Sequence, residues 1–363
     1  MEIMVKPKTL ANKIPVAILG ATGAVGQRFV QLLEGHPWFE VSALAASDQS
    51  TGKAYEEACH WLLTTPVPEK VRKMTVLPAE AGQKQVRDCR LVFSALPSNI
   101  AGPVEAQFAQ AGYAVCSNAG SHRMDADVPL LIPEVNPDHT ALIETQKQKR
   151  GWGGFIVANP NCSSTQLALV LRPLLDCFGL RKLAVVTMQA ISGAGYPGLS
   201  SFDILGNIIP LIEGEEAKLE SEPNKLLGKL ENQGVSEADF ITSAQCNRVA
   251  VRDGHTECVS VEFQRRVSVE QVVEALENFQ ADPGVMDLPS SPTRPILVHR
   301  EADRPQPALD ISNAGGMVTH VGRVRPDHLL DVRFVVLGHN TVRGAAGGSL
   351  HNAELLVSQG WIR

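Results

Sequence analysis

The amino-acid sequence predicts an α/β fold in two parts: a parallel sheet flanked by helices, then an α+β unit built on a mixed sheet. Three observations carry this. A chain of 363 residues exceeds what one comfortable core holds, so it divides into two domains. Up to about residue 155, short apolar runs alternate with helical or polar stretches, the pattern of parallel strands joined by crossover helices. Beyond that point the runs lengthen and several alternate apolar with polar residues, as in a mixed sheet carrying helices on one face.

"PVAILGATGAVGQRFVQLLEGHP" opens with an apolar strand, turns through glycines and continues with Val25, Phe29, Leu32 and Leu33 at helical spacing. "FEVSALAAS" reads as a second buried strand, with "CRLVFSALPS" and "AGYAVCSNAG" as later ones. In the second part "KLAVVTMQAISGAG", "ECVSVEFQRRV" and "LLDVRFVVLGHN" read as longer strands, and "SVEQVVEALENF" as an amphipathic helix. The final "AAGGSLHNAELLVSQ" returns to helix, placed to pack back on the first domain. The expected division is therefore 1–157 with 342–363, against 158–341. There is no internal repeat and no low-complexity linker.

Composition narrows the class. Hydrophobic residues make up 44% and charged residues 20%, which fits a soluble α/β enzyme rather than a disordered or fibrous chain. A net charge of -6 without a basic stripe speaks against a nucleic-acid partner and leaves small molecules first. The N-terminus lacks an apolar leader and no run of about eighteen apolar residues occurs, so no membrane is expected and the reading is cytoplasmic. Cys59, Cys89, Cys116, Cys162, Cys177, Cys246 and Cys258 are scattered, odd in number and without a CxxC pair. They suggest reduced thiols, with neither a disulfide framework nor a metal site.

"GATGAVG" sets Gly20, Gly23 and Gly26 between strand and helix. Such glycines permit a tight turn and close backbone approach, and the following helix N-terminus attracts a pyrophosphate, so the first domain reads as Rossmann-like. The spacing is GxxGxxG rather than GxGxxG, and a glycine turn without ligand is the plain alternative. After the second strand, "ASDQSTGK" offers Ser47, Ser50, Thr51 and Lys53 as donors to a 2′-phosphate, against which Asp48 alone would stand; this favours NADP.

"NPNCSSTQLALVL" places Cys162 at a helix start, with Asn161 as its N-cap. An acyl-transferring cysteine needs thiolate character, which a helix N-terminus and a nearby histidine provide. Cys116 and Cys177 lack that setting and read as small hydrophobes. The partner is sought elsewhere in the chain: "NRVAVRDGHTECVSVEF" offers His255, with Arg248 seven residues earlier. Gln189 ends a strand before a glycine turn, Glu215 and Lys218 share a helix face, and Arg123 sits in a loop.

Taken together, "GATGAVG", "LPS", "RMDADVPLLIPEVN", "NPNCSST", "QAISGAGYPG", "IIPLIEGEEAKLE", "NRVAVRDGHTE", "SSPTRPI" and "HNTVRGAAGGSLHNAELL" give the chain its resemblance to aspartate-semialdehyde dehydrogenase, in particular its archaeal and fungal branch. The resemblance covers nearly the whole sequence. It implies an NADP-binding domain, a catalytic and dimerisation domain, a homodimer or homotetramer, and a place in lysine, threonine and methionine biosynthesis. The implied reaction is the NADPH-dependent reductive dephosphorylation of 4-phospho-L-aspartate to the semialdehyde through a thioester. Carried over by similarity, Cys162 is the nucleophile, His255 the general acid/base, and Gln189 orients the acyl intermediate. Arg248 grips the substrate carboxylate, Glu215 its amino group, Arg123 and Lys218 its phosphate, and Asn161 lies among the substrate contacts. Gly20, Thr22, Gly23, Ala24, Val25, Gly26, Ser47, Ser50, Lys53, Ser94, Ser192, Gly193 and Asn340 fall at cofactor-contacting positions. One departure stands out: the family commonly has an arginine in an "SxRSxG" loop where this chain has Gln49. An uncharged amide loses the charge-assisted clamp on the 2′-phosphate, so reduced NADP selectivity is expected.

The nearest rival is a CoA-acylating semialdehyde dehydrogenase such as malonyl-CoA or succinyl-CoA reductase, which would use the same cysteine and histidine. Glu215 and Lys218 argue for an amino-bearing acyl phosphate instead. N-acetyl-glutamyl-phosphate reductase is a more distant alternative, and a catalytically silent NADP-binding protein is the rival from another class.

Overall fold

The computed structural model describes residues 10–231 and 234–363; residues 1–9, part of the stretch read for an apolar leader, lie outside them. The first sheet runs in the order β3-β2-β1-β4-β5-β6, parallel throughout. Its strands are β1 (Ile14–Leu19), β2 (Phe39–Ala46), β3 (Val76–Pro78), β4 (Leu91–Ser94), β5 (Ala114–Ser117) and β6 (Phe155–Ala158). Crossover helices α1 (Ala24–Leu33), α2 (Ser98–Gln110) and α3 (Leu142–Arg150) cover its faces. With both faces covered, β4, β5 and β6 are buried at every position, as their unbroken apolar runs require. The change of texture near residue 155 falls at β6, which still belongs to this sheet.

Directly after β6 the chain enters α4 (Cys162–Phe178), which carries it beneath the second sheet. Leu167, Leu169, Val170, Leu171 and Leu174 on α4 are fully buried there, each worth about 1.5–3 kcal/mol relative to exposure. The second sheet is mixed and runs β10-β7-β11-β14-β13-β12. It comprises β7 (Leu180–Gln189), β10 (Ile241–Arg248), β11 (His255–Phe263), β12 (Ile296–Val298), β13 (Thr319–Pro326) and β14 (Val332–Gly338), with the hairpin β8 (Lys229–Glu231) and β9 (Gly234–Ser236) set apart. β11 alternates strictly, its buried positions being His255, Glu257, Cys-flanking Val259, Val261 and Phe263, so one face meets helices. Those helices are α4, α5 (Glu215–Leu226) and α6 (Val269–Glu277), the last carrying a capping box between Ser268 and Gln271.

The last helix, α7 (Gly347–Ser358), leaves the second sheet and buries Leu350, Ala353, Leu355 and Leu356 in one core with β1, β2, β4, β5 and β6. Trp361 beyond it meets Phe155 of β6 edge to face at 6.4 Å. Among the described residues, no helix is long and apolar enough to cross a membrane.

Candidate active site

In a doubly wound sheet, ligands bind where strand order reverses, outside the carboxyl ends of the strands. Here that point lies between β1 and β4, and a cleft of about 600 Å³ opens there between the two sheets. Gly23, Ala24 and Val25 line it after β1, and Ala95, Leu96, Pro97 and Ser98 after β4. Gly20 takes a φ of +74°, and a Cβ on it would stand 2.6 Å from the Ala95 carbonyl oxygen. A Cβ on Gly26 would stand 2.1 Å from the Gly20 oxygen, so this glycine lets α1 close on the turn. No side chain caps α1 at Gly23, which leaves the N–H groups of its first turn for a ligand. These features fit a dinucleotide pyrophosphate. Gly20 and Gly26 therefore shape the cradle, whereas Gly23, Ala24 and Val25 form its wall; Thr22 lies in the turn between them and does not line the cleft.

Opposite the cradle, β6 ends and the chain turns through Asn159–Asn161 into α4. Asn161 is the N-cap, its Oδ1 accepting from the backbone N–H of Ser163 at 2.9 Å and of Ser164 at 3.2 Å. Cys162 is thus the first helical residue, partly exposed on the cleft wall. The helix start does not make it a thiolate at rest. Desolvation and the neighbouring Glu215 push the thiol up to about 12, outweighing Arg123, Arg248 and the Ser163 N–H, which pull it down. Gly344 backs the sulfur: a Cβ there would lie 2.7 Å from Cβ of Cys162.

Glu215, at the first position of α5, is the hub of the polar wall. Its Oε1 accepts from Asn161 Nδ2 at 2.7 Å and Gln189 Nε2 at 2.9 Å, and its Oε2 from Lys218 Nζ at 3.1 Å. Burial alone would raise this carboxyl; Lys218, Asn161 and Gln189 hold it below its ordinary value, so it is ionised. Gln189 in turn accepts from the Thr187 hydroxyl at 2.9 Å. Arg248 lines the cleft with its Nη1 anchored on the Ala190 carbonyl at 2.8 Å. Arg123 lines it too, its guanidinium fixed by Glu222, Asn159 and Asn118.

His255 departs from the sequence expectation. It is fully buried at the start of β11 and stands behind Gly193 rather than on the cleft wall. Its Nδ1 accepts from the Ala190 N–H at 3.0 Å, which places the ring proton on Nε2, an atom without a partner. Desolvation first, then Arg248, hold the imidazole down to about 3. A neutral ring cannot lend Cys162 a positive charge. The expected thiolate pair is therefore absent at rest because both groups are stripped of water.

Of the expected cofactor contacts, Ser192 and Gly193 line the cleft with Asn340, whose side chain is already engaged: Nδ2 donates to Ser192 Oγ and Oδ1 accepts from Gly254 N–H, each at 2.8 Å. Ser94 ends β4 with its side chain fully buried in the sheet, and the cleft wall begins one residue later. Ser47, Ser50 and Lys53 occupy the loop after β2, Ser50 buried and the other two exposed, and none lines the cleft. Glu222, Asn118 and Thr187 were not singled out by sequence; only the seven-residue spacing from Glu215 to Glu222 hints at a shared helix face. Elsewhere, His299, Asp310 and His320 bring ligand-type atoms within 4.8 Å of one another, but Arg304 already forks onto both Asp310 oxygens.

A thiol that opens a helix across a cleft from a dinucleotide cradle is the arrangement of dehydrogenases that work on a cysteine-bound acyl group. The family model described as semialdehyde dehydrogenase, NAD binding domain, matches residues 15–143, and that of the semialdehyde dehydrogenase dimerisation domain matches 171–343. Aspartate-semialdehyde dehydrogenase of Archaeoglobus fulgidus is 52% identical over 344 residues, covering 95% of this chain and 98% of that protein. The Schizosaccharomyces pombe enzyme of that name is 44% identical, again over 95% of this chain and 98% of its own. A crystal structure of aspartate semialdehyde dehydrogenase with NADP from Candida albicans matches with a TM-score of 0.88 at 41% identity, across 97% of this chain and 100% of that one. The chain belongs to the aspartate-semialdehyde dehydrogenase family.

Proposed function

We propose that this protein catalyses the NADPH-dependent reductive dephosphorylation of 4-phospho-L-aspartate to L-aspartate 4-semialdehyde, in the cytoplasm, as a step of amino-acid biosynthesis. The observation that carries the reading is Cys162, placed on one wall of a cleft with the dinucleotide cradle on one side and Arg123, Arg248, Glu215 and Lys218 on the other.

Arg248 presents a fork for the substrate α-carboxylate and Glu215 a carboxylate for its ammonium. Arg123 and Lys218 then face the acyl phosphate, and the two arginines that favour the thiolate are those that orient the substrate. The Cys162 sulfur attacks the acyl carbon; a C–S bond forms, the C–O bond to phosphate breaks, and the departing phosphate carries away the thiol proton. Gln189, locked by Thr187 and Glu215, orients the resulting thioester. NADPH, when bound, supplies hydride to the thioester carbonyl. His255 holds its Nε2–H as a hydrogen-bond donor toward the oxygen that becomes negative, the proton remaining on the neutral ring. Collapse of the tetrahedral adduct re-forms the carbonyl, breaks the C–S bond and returns Cys162 to solvent protonation.

The test follows NADPH absorbance in the oxidative direction with aspartate 4-semialdehyde and either phosphate or CoA, using Cys162→Ala as control. Phosphate-dependent NADPH formation, lost in the variant, is the expected result. Turnover with CoA alone would overturn the substrate in favour of a CoA-acylating dehydrogenase; inactivity with both would favour a silent binder.

We further propose that the working form is a homodimer or homotetramer assembled through the second domain. Supporting this, edge strand β10 exposes Ile241, and Phe202, Leu205, Ile208 and Leu211 stand exposed on the segment before α5. Light scattering on the purified protein distinguishes the two states, and a monomer would overturn both.

A further inference from the structure

We propose that Glu222 is a positioning residue for the phosphate end of the site, holding Arg123 and the turn before Cys162 in one geometry; this rests on the acyl-phosphate reading above.

Helix α5 carries Glu215, Lys218, Glu222 and Lys225 along one face. The first two line the cleft, while the other two lie further along the helix and are buried. Glu222 spans two distant pieces of the site. Its Oε1 accepts from Arg123 Nη1 at 3.0 Å and its Oε2 from the Asn161 backbone N–H at 2.7 Å. Lys225 braces the same loop by its backbone, donating to the carbonyls of Arg123 at 2.7 Å, Asp125 at 2.8 Å and Val128 at 3.0 Å. All three ammonium protons are engaged.

Arg123 is held on three sides, since its Nε donates to Asn159 O at 2.9 Å and its Nη2 to Asn118 O at 2.8 Å. A guanidinium has five N–H donors, so one remains on each terminal nitrogen for an anion in the cleft. Asn159 and Asn161, on either side of Pro160, are thereby tied to the same guanidinium–carboxylate pair that faces the phosphate. Nucleophile and leaving-group clamp share one support.

Two effects of Glu222 oppose each other. Its charge offsets that of Arg123 and so weakens attraction for phosphate, whereas its geometry aims the guanidinium. Glu222→Gln sets them against each other in sign, because it removes the charge while its amide offers one acceptor oxygen and an NH2 group where two donors must be received.

The experiment measures KM for phosphate and for aspartate 4-semialdehyde in the oxidative direction, and in parallel titrates inorganic phosphate as protection of Cys162 from iodoacetamide without cofactor. For Glu222→Gln the expected result is a rise of about ten-fold in phosphate KM and the same weakening of protection, the loss of one hydrogen bond to a charged group, with the semialdehyde KM little changed. An unchanged or lower phosphate KM overturns the proposal. Glu222→Asp keeps the charge but cannot span both partners; it is expected to move phosphate KM the same way, and wild-type behaviour overturns the proposal even if the Gln variant does not fold. Wild-type protein whose turnover does not depend on phosphate overturns the reading beneath and the proposal with it, whereas a phosphate-dependent wild type with unmoved variants overturns Glu222 alone.

Discussion

A Cβ atom on Gly193 would stand 3.2 Å from Nε2 of His255 and 2.8 Å from Nη1 of Arg248. The absent side chain is therefore an aperture: through it the buried imidazole meets the cleft. Gly193→Ala is expected to lower kcat by about a hundred-fold, the effect of removing one hydrogen-bond donor from a developing oxyanion. Unchanged kcat would show that His255 does not act through this opening.

Alkylation of Cys162 by iodoacetamide should report a neutral resting thiol. With the thiol pushed up to about 12, the rate at neutral pH falls below that of a simple thiol and climbs about ten-fold per pH unit past pH 9. A plateau near pH 7 in the absence of substrate would contradict this, with Cys162→Ala marking the background from other cysteines.

Gln49 is exposed on the loop after β2, where the family resemblance leads one to expect arginine. Gln49→Arg is expected to raise the preference for NADP over NAD by roughly ten-fold or more through one charge-assisted hydrogen bond. The ratio of kcat/KM for the two cofactors measures it. A variant no more selective than the parent would place the 2′-phosphate elsewhere.

Beneath the site, Arg343 donates to Glu134 at 2.7 Å, both residues being buried. Burial alone would raise the Glu134 carboxyl, but Arg343, then His351, bring it down to about 2. A folded value below the ordinary 4.5 means the pair's stabilisation is present above pH 4.5 and disappears as pH falls toward 2. Glu134→Gln should therefore cost about 3–5 kcal/mol at pH 7 by leaving a buried guanidinium without its anion, with the gap to wild type closing between pH 4.5 and 2. Thermal unfolding across that range checks it; a gap independent of pH would assign the loss to packing.

In the first sheet β1, β2, β4 and β5 were legible because they are apolar runs and the first turn is marked by glycines, whereas the three-residue β3 carries too short a run to declare itself. β10 was not, since "ITSAQCNR" is polar at many positions and lies at a sheet edge with little apolar burial to declare it. Cys162 was legible through its cap, a local feature that spans four residues. Glu222 was not, because its partner Arg123 lies 99 residues away and an acid within a run of acids reads as a solvated charge. The neutrality of His255 and Cys162 was hidden for a related reason: depth of burial is a property of the assembled site, and it reversed the thiolate that helix position alone suggests.

Helix α7, written last in the chain, completes a core whose other members were written first. On the ribosome, β1 to β6 emerge long before Leu350, Leu355 and Ile362, so the nascent first domain waits with one flank uncovered through the synthesis of the entire second domain. Folding of the nucleotide-binding half therefore depends on a segment that follows the whole second sheet in the chain, and deleting Gly347–Ser358 would leave every catalytic residue present with no finished domain to hold them.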